Sequence, residues 1–113
     1  MTCFFCKIAK GEIPADIVYE NEEIVAFNDI NPQAPSHVLI IPKRHISTLN
    51  DLEQGDELLI GQLFLAAKSI AEKLGQAESG YRTVFNCNAD GGQSVYHIHL
   101  HYLGGRQLSW PPG

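Results

Sequence analysis

The chain has 113 residues, of which 44% are hydrophobic and 19% are charged, and its 13 acidic and 8 basic side chains give a net charge of -5. This length predicts a single domain, residues 1–113, built around one core. The composition is that of a globular protein and excludes a disordered chain. The acidic balance argues against binding long nucleic acid through its phosphates.

The N-terminus has no feature of export or of membrane insertion. Residues 1–10 lack the apolar segment and the small-residue cleavage site of a signal peptide. No segment approaches the ~20 apolar residues that a membrane-spanning helix needs. We therefore expect a cytoplasmic protein with no membrane partner, in a compartment that keeps cysteines reduced or bound to metal.

The predicted elements alternate between short strands and two helices. Hydrophobic periodicity and turn residues predict a helix over 3–10, strands over 17–20, 23–28 and 37–41, a helix over about 56–74, and strands over 81–86 and 97–103. Most connections are too short for repeated parallel crossovers. The sequence therefore predicts an α+β fold, with a mainly antiparallel five-stranded sheet, one long helix on one face and a short N-terminal helix.

The long helix has one apolar face with helical spacing. Its members are Leu59, Leu63, Ala66, Ala67, Ile70 and Leu74. Gly61 lies inside this helix, where a glycine costs about 1 kcal/mol in helix propensity. We expect this glycine to pack closely against a neighbouring element.

Three of the five histidines lie in the last predicted strand. Because side chains alternate along a strand, His97, His99 and His101 are expected to share one face. Such a row is typical of metal binding, or of a covalent site in which one imidazole is the nucleophile. A solvated row on the surface is the structural alternative. The preceding Asp90–Ser94 (DGGQS) offers backbone N–H groups to a phosphate, which favours the covalent site.

Both histidine-rich segments lack carboxylates. Residues 30–50 hold two histidines, Lys43 and Arg44, residues 91–113 hold three histidines and Arg106, and neither segment contains Asp or Glu. If the two segments meet in space, they form a pocket that attracts a small phosphate despite the net negative charge. Otherwise they are simply buried strands.

Four segments together resemble the histidine triad (HIT) family. His97–Leu103 (HIHLHYL) is similar to the family signature His-x-His-x-His, and Phe27–His37 (FNDINPQAPSH) is similar to its nucleoside-binding segment, with Ile41–Ile46 following in register. The ending Leu103–Gly113 (LGGRQLSWPPG) is typical of the Hint branch of the family. The resemblance covers nearly the whole chain and implies a HIT-like fold whose sheet continues across a homodimer.

The resemblance implies a nucleoside phosphoramidase. Such a hydrolase binds purine nucleoside monophosphates and cleaves the P–N bond of purine nucleoside 5′-phosphoramidates, such as adenosine 5′-monophosphoramidate. It works through a covalent nucleotidyl-histidine intermediate and uses no organic cofactor. The family pattern makes His99 the nucleophile, with the backbone carbonyl of His97 holding its tautomer. His101 would contact the phosphate and help supply the leaving-group proton, and His37 would support that network.

The resemblance also implies the residues that contact the substrate. They are Asp29 at the ribose hydroxyls, Ile30 at the nucleoside, Asn86, Gly92 and Ser94 at the phosphate, and Gln93 beside them. Most of these residue types are unremarkable when taken singly. For Asp29, the local pattern alone favours an Asx turn ahead of Pro32.

Cys3 and Cys6 form a C-x-x-C pair. A redox role would need a preceding strand, and residue 3 is too near the start of the chain to have one. A metal role needs two further ligands, and His45 and His97 would complete a tetrahedral Cys₂His₂ set for a structural zinc ion. Some relatives carry this quartet. The alternative is a pair of buried thiols in a short helix.

The C-terminal Trp110 is expected to dock on another surface, because an exposed tryptophan is unfavourable in water. Relatives of the Hint branch are homodimers whose C-terminal tail reaches towards the partner's active site. The resemblance therefore implies a symmetric dimer in which Trp110 influences substrate choice across the interface. A frayed terminus is the alternative.

Two other functions remain open from the sequence. One is a hydrolase of the same superfamily that cleaves dinucleoside polyphosphates. The other is a nucleotide-binding or zinc-bearing interaction module with negligible turnover. The intact histidine row argues against the second, because binding alone needs no nucleophile, but competence in catalysis depends on placement that a sequence does not contain.

Overall fold

The computed structural model describes residues 3–113, and the helices and strands follow the predicted order. The elements are α1 Phe4–Ala9, β1 Ile17–Glu20, β2 Ile24–Asn28, β3 Ser36–Pro42, a single 3₁₀ turn at Leu49–Asp51, α2 Glu57–Lys73, β4 Tyr81–Val84, α3 Asn88–Gly91 and β5 Leu100–Gly104. The predicted α+β class is confirmed. None of the helices in this described part is both long enough and apolar enough to cross a bilayer.

The five strands form one antiparallel sheet in the order β1-β2-β3-β5-β4. The last strand of the chain therefore lies inside the sheet, between β3 and β4. Its register with β3 places His101 opposite Leu39 and Leu103 opposite His37. The two carboxylate-free segments are thus neighbours in space, which is the condition that the charge pattern set for a phosphate pocket.

Each face of the sheet carries its own apolar core, because side chains alternate along the strands. One face packs against α2, and this core contains Ile24, Ala26, Val38, Ile40, Leu63, Ala66, Ala67, Ile70, Ala71, Leu100 and Tyr102. The other face packs against α1, and this core contains Cys3, Phe5, Ile8, Val25, Phe27, Leu39 and Ile41. Because α1 has only six residues, it covers part of the second face and leaves room for a cavity beside it.

β5 begins at Leu100, so the prediction of a strand over 97–103 is wrong at its start. The pairing with β3 ends where Ile40 faces Leu100. In a continued register Ile98 would face Pro42, which has no N–H to donate. The N–H of Ile98 instead donates to the carbonyl of Ile46 at 2.8 Å. His97 and His99 therefore precede the strand. The three imidazoles nevertheless lie on the α1 side of the sheet, because Phe5 packs against His97 and His99 and the centroids of His99 and His101 are 5.0 Å apart.

Three smaller expectations also differ. The stretch between the predicted strands over 81–86 and 97–103 contains the short helix α3, where the sequence predicts no element. No atom outside α2's own backbone and Gly61's chain neighbours lies within 4 Å of a Cβ built at Gly61. The close neighbour expected there is not part of the chain as described. Leu74 is 44% exposed, so the apolar face of α2 ends one turn earlier than its periodicity indicates.

Candidate active site and metal centre

A cavity of about 300 Å³ lies between α1 and the second sheet face. Its apolar wall includes Phe4, Phe5, Ile8, Phe27, Leu39 and Val95, and its polar end holds Asp29, Ser94, His99 and His101. Ile30 also lines it and is 97% exposed at the rim. An apolar cleft of this volume with a few convergent polar groups is typical of a small-molecule site. A groove of about 460 Å³ beside Lys43 and Arg44 contains none of the predicted site residues.

The imidazole of His99 has one nitrogen with a fixed proton and one with a free lone pair. His99 Nδ1 lies 2.8 Å from the backbone carbonyl oxygen of His97. A carbonyl can only accept, so Nδ1 carries the proton and Nε2 keeps its lone pair. Burial lowers the pKa of His99, against the backbone hydrogen bond to His97 and the charge of Asp29, which raise it. The ring of Phe5 packs edge-on against this imidazole, with centroids 5.2 Å apart. His99 is therefore a neutral imidazole with a free lone pair on Nε2, at the polar end of the cavity.

His37 and His101 form a hydrogen-bond chain in which every donor and acceptor is determined. The backbone N–H of Gln33 donates to His37 Nδ1 at 3.0 Å, so the proton of neutral His37 is on Nε2. His37 Nε2 lies 2.9 Å from His101 Nδ1 and donates to it. The proton of His101 is then on Nε2, the remaining nitrogen of a ring that lines the cavity. Burial is the largest cause that lowers the pKa of both rings, and for His101 the value is about 4. Both therefore stay neutral near pH 7.

Asp29 serves two neighbours with its two oxygens. Its Oδ1 accepts the N–H of Asn31 at 2.9 Å, which is the Asx turn that the local pattern favours. Its Oδ2 lies 3.5 Å from His37 Nε2. The carboxylate also lines the cavity. The turn and a contact with substrate are therefore compatible, because the turn uses only one oxygen.

The loop expected to hold the phosphate is only partly directed at the cavity. Gln93 is buried, and its side chain forms hydrogen bonds only with backbone groups. Its Nε2 donates to the carbonyls of Ser47 and Val95, and its Oε1 accepts the N–H of Asn88. The N–H of Gly92 donates to the carbonyl of Ala89.

Of the four residues that the resemblance places here, Ser94 is the one that lines the cavity. Asn86, Gly92 and Gln93 are not among the residues that line it. Gln93 instead stabilises, through its hydrogen bonds, the loop that carries Ser94 at the cavity.

Four candidate ligand atoms converge on the other side of α1. Cys3 Sγ lies 3.4 Å and Cys6 Sγ 3.5 Å from His97 Nδ1, and His45 Nδ1 lies 3.3 Å from Cys6 Sγ and 3.2 Å from His97 Nδ1. All four atoms lie within 4.8 Å of one another. These separations are close to the edges of a tetrahedron around a zinc ion with bonds of ~2.0–2.3 Å. The expected quartet is therefore assembled.

The tautomers at this quartet suit a metal ion. His97 Nε2 lies 2.7 Å from the carbonyl oxygen of Pro42, so it carries the proton and leaves the Nδ1 lone pair facing the thiols. Cys3 Sγ also accepts the N–H of Cys6 at 3.3 Å. Without a cation, burial is the main cause that raises the pKa of Cys6 to about 11. A bound cation reverses this tendency, because it stabilises the thiolate.

A second group, Asp29, His37 and His101, also has ligand-type atoms close together. Here the chemistry does not suit a metal ion. The N–H of Gln33 occupies His37 Nδ1, so His37 Nε2 holds a proton and has no lone pair to give. We therefore describe this group as a hydrogen-bond chain.

The tail places Trp110 away from the cavity of its own chain. Arg82 Nη2 donates to the carbonyl of Ser109 at 3.0 Å, and its guanidinium lies 5.9 Å from the centroid of the Trp110 ring. Trp110 is 79% exposed on the side of β4. A role at a substrate therefore requires a second chain.

Sequence reasoning missed two contributors to this site. Phe5 packs on His99. The two residues between the cysteines of the C-x-x-C pair could have indicated this contact, because both are aromatic and lie on the same short helix. The N–H of Gln33 orients His37, and no sequence signal marks it, since every residue except proline carries the same group.

The histidine pair leads to a pH-dependent stability. The unfolded chain takes up a proton at each histidine near pH ~6.5, whereas folded His101 takes one up only near pH 4. The unfolded state therefore binds more protons between these values, and stability that is complete above pH ~6.5 is lost as the pH falls through this window.

Denaturant unfolding of the wild type and of His101→Asn, at a series of pH values from 7.5 to 4.5, measures the effect. We expect a shallower loss in the variant. Parallel curves for the two proteins would contradict this origin.

The family model described as HIT domain matches residues 10–108. A purine nucleoside phosphoramidase of Escherichia coli strain K12 is 53% identical over 104 residues, which are 92% of this chain and 87% of that protein. An uncharacterised HIT-like protein of Synechococcus elongatus is 53% identical over 109 residues, 96% of this chain and 95% of that protein.

The crystal structure of a HIT family hydrolase from Legionella pneumophila Philadelphia 1 superposes with a TM-score of 0.97 and 59% identity, over 99% of this chain and 100% of that one. The match covers the sheet, both faces and the histidine-bearing segments. The chain belongs to the HIT family.

Proposed function

We propose that this protein hydrolyses the P–N bond of purine nucleoside 5′-phosphoramidates, releasing the nucleoside 5′-monophosphate and an amine. The observation that carries the proposal is the lone pair of His99 Nε2, kept free at the polar end of an apolar cavity by the hydrogen bond to the His97 carbonyl. The phosphoramidase of E. coli, 53% identical, supports the substrate class.

The first step forms a covalent intermediate. His99 Nε2 attacks the α-phosphorus, the P–N bond breaks, and the departing nitrogen takes a proton through the Nε2–H of His101. His101 takes up one proton from solvent in its place, and this uptake balances the proton that the second step releases. Proton delivery by a positioned group typically contributes ~10²–10⁴-fold to the rate.

The second step hydrolyses the intermediate and regenerates the free enzyme. A water oxygen bonds to phosphorus, the bond between phosphorus and His99 breaks, one proton is released, and the nucleoside monophosphate leaves. The phosphorylated imidazole is labile because its ring carries positive charge while Nδ1 keeps its proton on the His97 carbonyl. The Ser94 hydroxyl at the cavity supports the phosphate oxygens as a donor.

The nucleoside would occupy the apolar wall. Phe4, Phe5 and Phe27 line this wall beside Leu39, and aromatic rings offer a base both apolar area and stacking. Asp29 Oδ2 stands where it can accept from ribose hydroxyls while Oδ1 keeps the Asx turn.

We propose further that Cys3, Cys6, His45 and His97 hold a structural zinc ion. Four protein ligands leave no open position, so the ion, when bound, would fasten α1 to the segment that carries His97. The cytoplasmic location that we expect suits this site, because a reducing compartment keeps its thiols free.

We propose also that the protein is a homodimer. Leu58 and Leu65 on the outer side of α2 are 74% and 64% exposed, and Gly61 between them faces open space. The neighbouring Gln62 has a buried Oε1 with no hydrogen-bond partner in the described chain. β4 forms an edge of the sheet beside the exposed Trp110. A second copy across this surface would cover the apolar residues, continue the sheet and bring Trp110 towards the partner's cavity.

The activity is tested by release of AMP from adenosine 5′-monophosphoramidate, with wild type compared to His99→Ala. We expect turnover by the wild type without added Mg²⁺ and a loss of at least ~10³-fold in the variant, because no other group replaces the nucleophile. AMP binding by the variant is the control for a folded cavity. Absence of wild-type turnover while AMP still binds would favour an interaction module, and preferred cleavage of diadenosine polyphosphates would favour the other hydrolase.

The metal centre is tested by metal analysis and thermal unfolding of protein purified without chelator. We expect about one zinc per chain in the wild type and far less in Cys6→Ser, with a midpoint lowered by at least about 5 °C. Cys87→Ser is the matched control, because Cys87 lies outside the quartet. Equal zinc content in the two variants would refute the assignment.

The dimer is tested by light scattering on Leu65→Arg. An arginine at an exposed apolar position is expected to leave the fold intact and to prevent association, giving the mass of one chain where the wild type has the mass of two. Glu22→Arg adds the same side chain at the β1–β2 turn and is expected to remain dimeric. A wild type with the mass of one chain would exclude the dimer.

A further inference from the structure

The segment after β5 returns to the loop that precedes β3. Gly105, with φ of +94°, makes this return possible, since a Cβ at this position would lie only 2.8 Å from Pro35 Cβ. A side chain here would therefore push the two segments apart. The contact brings Arg106 beside Gln33.

Arg106 uses its guanidinium on backbone oxygens. Its Nη2 donates to the carbonyl of Gln33 at 2.9 Å and its Nη1 to the carbonyl of Gln107 at 3.3 Å. No carboxylate of residues 3–113 lies within ion-pair distance of it. A charged donor to a carbonyl is stronger than a neutral one, so Arg106 anchors the Gln33 residue to the tail.

The same Gln33 residue is bound on its other side by a histidine. Its N–H donates to His37 Nδ1 at 3.0 Å, while its carbonyl, on the other side of the same Cα, accepts from Arg106. With both groups held, the rotation that would swing the N–H away from the imidazole is restrained. We propose that Arg106 is a positioning residue that keeps this N–H on His37 and thereby keeps the Nε2 proton of His101 directed at the cavity.

The direction of the hydrogen bonds matters, because the two protons of neutral His37 and His101 can be arranged in two orders. If His37 Nδ1 carried the proton, His37 Nε2 would be an acceptor and His101 Nδ1 would donate to it. His101 Nε2 would then present a lone pair to the cavity, where it repels phosphate oxygens and has no proton for the leaving amine. The N–H of Gln33 excludes this order, because it needs a lone pair on His37 Nδ1.

Asp29 gives partial support to the same order. Its Oδ2 lies 3.5 Å from His37 Nε2 and favours a proton there. Loss of Arg106 therefore weakens the preference and does not abolish it. The proposal rests on the proposed function only in assigning the Nε2 proton of His101 to the reaction.

The test compares Arg106→Ala, Arg106→Gln and Arg106→Lys with the wild type. ¹⁵N NMR of the imidazoles at pH 7.5, without substrate, reports which nitrogen of His37 and of His101 carries the proton. Steady-state kinetics with adenosine 5′-monophosphoramidate separate kcat from KM. Lys73→Ala is the matched control, because Lys73 Nζ also donates to a distant carbonyl, that of Val18 at 3.2 Å, far from the histidines.

We expect Arg106→Ala and Arg106→Gln to mix the two proton orders and to lower kcat about tenfold, a part of the ~10²–10⁴-fold that proton delivery supplies. KM should stay within about twofold, since the nucleoside wall is unchanged. Arg106→Lys keeps a charged donor and should recover most of kcat, and Lys73→Ala should behave as the wild type.

Wild-type proton placement and kcat in the alanine and glutamine variants would overturn the proposal, and so would an equal loss in Lys73→Ala. If Arg106→Ala does not fold, Arg106→Gln, which retains most of the apolar stem, decides by the same criteria. A wild type without turnover would refute the proposed function, whereas the NMR comparison would still test the positioning role.

Discussion

Backbone groups that can act only as donors or only as acceptors determine the proton positions on the histidines of the site. A carbonyl only accepts and an amide N–H only donates. The carbonyl of His97 therefore leaves a lone pair on His99 Nε2, the carbonyl of Pro42 leaves one on His97 Nδ1, and the N–H of Gln33 leaves a donor on His101 Nε2. One neutral ring can thus act as a nucleophile, one as a metal ligand and one as a donor.

His97 joins the two centres of the molecule. Its side chain belongs to the Cys₂His₂ quartet, and its main-chain carbonyl orients the imidazole of His99 two residues later. Phe5, between the two cysteines in the sequence, packs against both His97 and His99. The short helix α1 therefore contributes both to the wall of the cavity and to the Cys₂His₂ quartet.

Local patterns were sufficient for most of the fold. Alternation and turn residues predicted β1, β2 and β3 to within one residue at each end, and periodicity predicted α2 with its buried Leu63 and Ile70. The start of β5 could not be predicted this way, because it depends on Pro42, a residue 58 positions earlier that cannot continue the ladder. The open surroundings of Gly61 could not be predicted from local patterns either. Helix propensity gives the cost of a glycine in a helix but does not say which element packs against it.

The sequence by itself determined the residue types of the site, because the motif places histidines, cysteines and Asp29 in positions that only a few chemistries use. It could not determine what each imidazole does, since a proton position depends on the group across a hydrogen bond. Those groups are backbone atoms of Gln33, Pro42 and His97, which carry no side-chain signature. The N–H of Gln33 reaches His37 locally, from four residues earlier. Only the tertiary structure brings Pro42 to His97 and His37 to His101, because the long-range pairing of β3 with β5 and the return of 97–99 towards 42–46 position them.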